Sequence, residues 1–88
     1  MMMTEIKINN NLTVNNVMAE LSHIKIAIKH EVTNVLFIDL KDINHIDASG
    51  LAMLIEVKNI AKNFNKYLKF INPTQNILKM CNLYYVEL

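Results

Sequence analysis

Residues Val35 to Leu54 read VLFIDLKDINHIDASGLAML, and the pattern changes from strand to helix within that stretch. Val35-Leu36-Phe37-Ile38 is continuously apolar and rich in strand formers, as expected of a central parallel strand covered on both faces. A polar turn follows. A helix then begins at Asp47-Ala48-Ser49-Gly50, where Asp47 or Ser49 can accept hydrogen bonds from the unpaired N–H groups of the first turn. The arrangement places a small, modifiable hydroxyl, that of Ser49, at the positive end of a helix.

On the N-terminal side, Ile6 and Ile8 alternate with polar neighbours as in a half-buried edge strand, and Asn9-Asn10-Asn11 supplies turn-tolerant residues after it. From Thr13, the expected N-cap, to about His30, the residues Val14, Val17, Met18, Leu21, Ile24 and Ile28 recur at helical intervals. On the C-terminal side, the Ser49 helix runs to about Asn65, and Tyr67 to Ile71 reads as another buried strand. A last helix is expected after Asn72, with Asn72 as N-cap, Pro73 at the first helical position and Gln75 completing a capping box. The order β-α-β-α-β-α implies an α/β fold: a small, mostly parallel sheet with right-handed crossovers and helices packed against it. Binding sites in such folds lie beyond the C-terminal ends of the strands, where the loop Lys41 to Ile46 and the start of the Ser49 helix fall.

The chain has 88 residues, 52% of them apolar, with one Pro and one Gly. It therefore reads as one compact domain with little room for a deep catalytic cleft. A net charge of +1, carried by scattered Lys with no Arg, argues against a nucleic-acid partner. Cys81 has no mate within the chain, and no apolar run approaches the length of a membrane helix, so a cytoplasmic protein is expected. Met1-Met2-Met3 is too short to be a targeting segment.

Projecting the Ser49 helix at about 100° per residue puts Met53, Leu54, Val57, Ile60, Ala61 and Phe64 on a sheet-facing stripe. Leu51 and Ile55 fall outside it, with Ala48 and Ala52 towards their flank, and are expected to form an exposed contact patch unless the long N-terminal helix or a neighbouring loop covers them. Ser49 reads either as a helix cap or as a phosphorylation or partner-contact site, since a phosphate there would leave the helix intact while charging an apolar contact. No catalytic set is apparent and no enzyme is expected. His45 lacks an orienting group, His23, His30 and His45 lack metal-site spacing, and Cys81 falls on the apolar stripe of Ile77 and Tyr84. Asp39, at a strand end, is expected to be held by backbone donors. A single Gly cannot build a phosphate-cradling loop, so neither cofactor nor metal is expected.

From Val35 onward, the I-D-L strand end, the I-D-A-S-G-L turn and the N-P after the last strand resemble the STAS domain. The resemblance implies a single STAS domain over residues 1–88, its usual N-terminal β-hairpin shortened to one strand, so that an open sheet edge could be met by a homodimer. At Ser49 the turn is most similar to anti-sigma-factor antagonists, where the matching serine is phosphorylated by an anti-sigma factor kinase. Gly50-Leu51-Ala52-Met53-Leu54-Ile55, Ile60-Ala61-Lys62, Phe70-Ile71-Asn72 and Cys81-Asn82-Leu83-Tyr84 resemble MlaB instead. MlaB is the cytoplasmic STAS subunit of a phospholipid-transporting ABC complex that maintains outer-membrane lipid asymmetry in Gram-negative bacteria. That likeness implies a non-enzymatic accessory subunit that binds an ABC transporter ATPase at the inner membrane. Some members place a Thr where this chain has Ala48. In either case the resemblance places partner binding on Asp47, Ala48, Ser49, Gly50, Leu51, Ala52 and Ile55.

Overall fold

In the computed structural model, residues 3–9 and 11–88 are described. Met1 and Met2 of the expected non-targeting start, and Asn10 of the expected turn, lie outside them. The elements are β1 (Thr4–Lys7), α1 (Val17–His30), β2 (Val35–Asp39), α2 (Ala48–Asn63), β3 (Tyr67–Ile71) and α3 (Gln75–Leu83). The strands form one parallel sheet in the order β1-β2-β3.

Register and side-chain alternation divide the sheet into two unlike faces. Ile6, Ile38 and Phe70 share one row, and Thr4, Leu36 and Leu68 the next; Leu36 and Ile38 are wholly buried in one core with residues of all three helices. On the opposite face Glu5, Phe37 and Lys69 form a row in which Phe37 is half-buried between two exposed, charged neighbours. β2 is therefore not covered on both faces as its apolar run suggested. Likewise β3 is a half-buried edge strand rather than a buried one, with Tyr67 60% exposed. A continuous apolar run reports the strand but not how many of its faces the helices reach.

The helix boundaries depend on caps. Asp47 is the cap of α2, its carboxylate accepting from the Gly50 N–H. α1 starts at Val17 rather than just after Thr13: residues 13–16 form a turn in which the Thr13 carbonyl accepts from both the Asn16 and Val17 N–H groups, so Thr13 caps nothing. α3 is capped by the Thr74 hydroxyl, which accepts from the Ile77 N–H, not by Asn72. Asn72 instead adopts a left-handed conformation, φ 55°, and donates its side-chain amide to Asp39. Pro73 thus precedes the cap, and Gln75 opens the helix without completing a capping box. Lys66 closes the other end of the sheet. Its ammonium donates to the carbonyls of Glu31 and Thr33, tying the segment after α1 to the start of β3.

Candidate functional site

A short zipper joins the segment before α1 to the loop before α2. The Leu12 N–H donates to the His45 carbonyl at 3.0 Å and the Asp47 N–H donates to the Leu12 carbonyl at 3.1 Å, a parallel bridge between Leu12 and Ile46. The Asn11 side-chain oxygen accepts from the Asn44 and His45 N–H groups. Asp47 completes the junction, one oxygen capping α2 and the other holding the turn before α1: Oδ1 accepts from Gly50 N–H at 3.0 Å and Oδ2 from Val14 N–H at 2.9 Å.

These donors stabilise the ionised carboxylate. The Val14 N–H, followed by that of Gly50, holds Asp47 below its usual carboxylate value. A depressed folded-state value means that the stabilisation is present above the ordinary carboxylate range and is lost as pH falls through the folded value. Asp39 is lowered in the same sense, first by the Lys41 N–H at 3.0 Å. It anchors the β2 terminus, in part by a backbone donor as its position suggested, with Asn72 and the Lys41 ammonium beside it.

Gly50 lets the zipper approach. A Cβ there would stand 2.2 Å from the Leu12 carbonyl oxygen and 2.7 Å from Ile46 Cγ1, contacts that require backbone to move. Gly50→Ala is therefore expected to lower stability, even though Ala suits a helix interior better than Gly by about 1 kcal/mol. The overpacking should leave a net loss of about 2 kcal/mol and a fall in Tm of about 10 °C, measured by thermal circular dichroism.

The same enclosure changes the exposed surface at the start of α2. Leu51 is 3% exposed and belongs to the core, so it forms no part of a contact patch. The helical projection assumed one width of burial along the helix, whereas the 11–16 segment and the 40–47 loop wrap its first turn and widen the buried arc there. Gly50 is buried, and Asp47 is half-buried and committed to α2 and to the turn before α1. Ala48 and Ala52 are exposed, Ile55 is 37% exposed, and Ser49 is half-buried. Phe64, expected on the sheet-facing stripe, is 38% exposed where the helix ends.

The zipper also delivers residues from α1. Ser49, Ala52, Met53 and Glu56 of α2 face Val17, Met18 and Leu21 of α1 across a cleft of about 210 Å³. Met18, at its rim, is 73% exposed, and Val14 in the preceding turn is 67% exposed. Both share the helical spacing of the apolar residues from Thr13 to His30, yet neither is buried. The buried or half-buried set Val17, Leu21, Ile24, Ile28 already makes a complete helical stripe, so the two surplus apolar residues were the available signal. Among the residues lining the cleft, Ser49 supplies the one hydroxyl. Its oxygen makes no hydrogen bond among the described residues, because the capping bond at this terminus goes to Asp47. His45 is exposed in the loop, and Cys81 is buried, its thiol pushed up by desolvation. The described residues contain no group of three or more metal-ligating side chains and no helix long and apolar enough to cross a membrane.

A parallel sheet whose central strand leads through an Asp-Ala-Ser-Gly turn into α2 is the arrangement that the STAS resemblance implied. The STAS domain family model matches residues 3–87, and the chain belongs to that family. Its structure resembles that of a Thermotoga maritima protein described as an anti-sigma factor antagonist, with a TM-score of 0.75 at 14% identity over 92% of this chain and 71% of that one. No curated protein matches the sequence.

Proposed function

We propose that this chain is a non-enzymatic regulatory module of the anti-sigma-factor-antagonist type, which binds a kinase-type anti-sigma factor through the rim of the α1/α2 cleft and is released by phosphorylation of Ser49. The observation that carries this reading is the unbonded Ser49 hydroxyl at an apolar cleft. A phosphate there adds nearly two negative charges next to Glu56 and Asp47, with no cationic side chain lining the cleft to receive it. The fold tolerates that charge at a helix N-terminus; an apolar contact closing over it does not. The shared fold with the Thermotoga maritima protein described as an anti-sigma factor antagonist is consistent with the same reading.

The residues that suggest the MlaB-like alternative carry less weight. Gly50, Leu51, Met53, Leu54, Ile60, Ala61 and Cys81 are buried, and of the exposed residues in that set, which include Ile55, Lys62, Leu83 and Tyr84, only Ala52 lines the Ser49 cleft. The test is to incubate the protein with the anti-sigma factor kinase of its own genome and ATP, then to weigh and fragment it by mass spectrometry. A single phosphate on Ser49, absent in Ser49→Ala, is the expected result. Absence of phosphate with stable capture of an ABC ATPase would replace this reading with the transporter one.

A further inference from the structure

β3 forms one edge of the sheet, and its outer side offers a second binding surface. The Tyr67 N–H donates to the Asn34 carbonyl at 2.8 Å, and the Ile71 carbonyl accepts from the Leu40 N–H at 2.9 Å. Tyr67, Lys69 and Ile71 therefore direct their backbone groups at β2, and alternation turns those of Leu68 and Phe70 outward. No described strand pairs with them. A cleft opens beside each of the two residues. Leu68 borders one lined by Lys58, Ala61 and Lys62, and Phe70 borders one whose lining includes Leu78, Val86, Leu88 and one acid, Glu87. Residues two apart on a strand are separated by about 6.6 Å, so the clefts match successive same-face side chains of an added strand.

Charge selects the occupant. Lys58, Lys62 and Lys69 are exposed, and no acidic residue lines the Leu68 cleft. Lys66 also borders that cleft, but its ammonium already donates to the Glu31 and Thr33 carbonyls. A second copy is a poor fit: a two-fold pairing that uses all the outward groups of Leu68 and Phe70 centres on Lys69 and sets two lysines directly opposite, an arrangement antiparallel pairs disfavour. We propose that the β3 edge accepts an extended segment of another protein as a fourth strand. That segment places a carboxylate beside Lys58 and Lys62, and an apolar side chain two residues along in the cleft beside Phe70. Main-chain hydrogen bonds supply the affinity and the two clefts the selectivity. None of these residues lines the Ser49 cleft, so this surface stands or falls independently of the proposed switch.

The probe is a fluorescein-labelled peptide with the core Thr-Asp-Thr-Leu-Thr-Glu between Gly-Ser ends; its control carries Lys in place of both acids. Fluorescence anisotropy measures binding, and amide chemical shifts of isotope-labelled protein locate it. The acidic peptide should bind in a salt-dependent manner and shift the Leu68 and Phe70 amides, and the control should bind at least tenfold more weakly. Lys58→Glu/Lys62→Glu, checked for folding by circular dichroism, should reverse that order. If the acidic peptide fails to shift those amides up to millimolar concentration, or shifts only amides elsewhere, the lysines merely guard the edge against aggregation and the proposal falls. A response of the same amides to protein concentration without peptide would assign the edge to a second copy and also overturn it.

Discussion

Replacing Leu51 with Asp should leave the chain unfolded or close to it at 25 °C. A fully buried Leu contributes about 2 kcal/mol through its apolar surface, and an unpaired carboxylate in its place adds the larger cost of a desolvated charge. Losses above about 4 kcal/mol come from this kind of change, and an 88-residue domain has only about 4–13 kcal/mol in total. Ile55→Asp, one turn further along and 37% exposed, is the matched comparison and should change stability by no more than about 0.5 kcal/mol. Urea titration followed by circular dichroism separates the two. A folded Leu51→Asp protein would mean that the first turn of α2 is not enclosed as described.

Ser49→Asp should do the reverse, leaving the fold intact while weakening partner binding about 100-fold. Capping of α2 belongs to Asp47, so nothing structural depends on the hydroxyl, and Tm should stay near that of the wild type. The lost affinity corresponds to about 2.7 kcal/mol, within the range seen when a charge is left unpaired in a closed contact. Ser49→Ala should bind with little loss and should resist release by the kinase. Calorimetric titration of both variants against the anti-sigma factor reads the difference directly. Equal affinity for wild type and Ser49→Asp would remove Ser49 from the interface.

The order of elements was legible in the sequence because each strand and helix carries its own periodicity, and the Asp-Ala-Ser-Gly turn drew attention to the candidate site. What stayed hidden depends on segments far apart in sequence. The Asp47 carboxylate could be read as a cap for its own helix, but its second bond, to Val14, joins residues with no local relationship. Leu51 was misplaced because a helical projection treats the sheet as the only neighbour, while a loop and the segment before α1 cover its turn. Thr74 replaced Asn72 as cap because Asn72 was drawn to Asp39, a partner on another strand.

The register of the sheet also bears on how this chain reaches its native state. Leu36 pairs with Thr4 behind it and with Leu68 ahead of it, and both partners lie 32 positions away. No hairpin can therefore seed the sheet. Closing a loop of that length has a substantial entropic cost before any ladder bond forms, and parallel pairing is slow to repay it. α1 and α2 can each form locally within the two crossovers and shorten the search, which favours helix formation ahead of strand pairing. β1 joins from the N-terminal end of the chain, and β2 cannot acquire both its neighbours until the two halves of the domain have each wound through a helix.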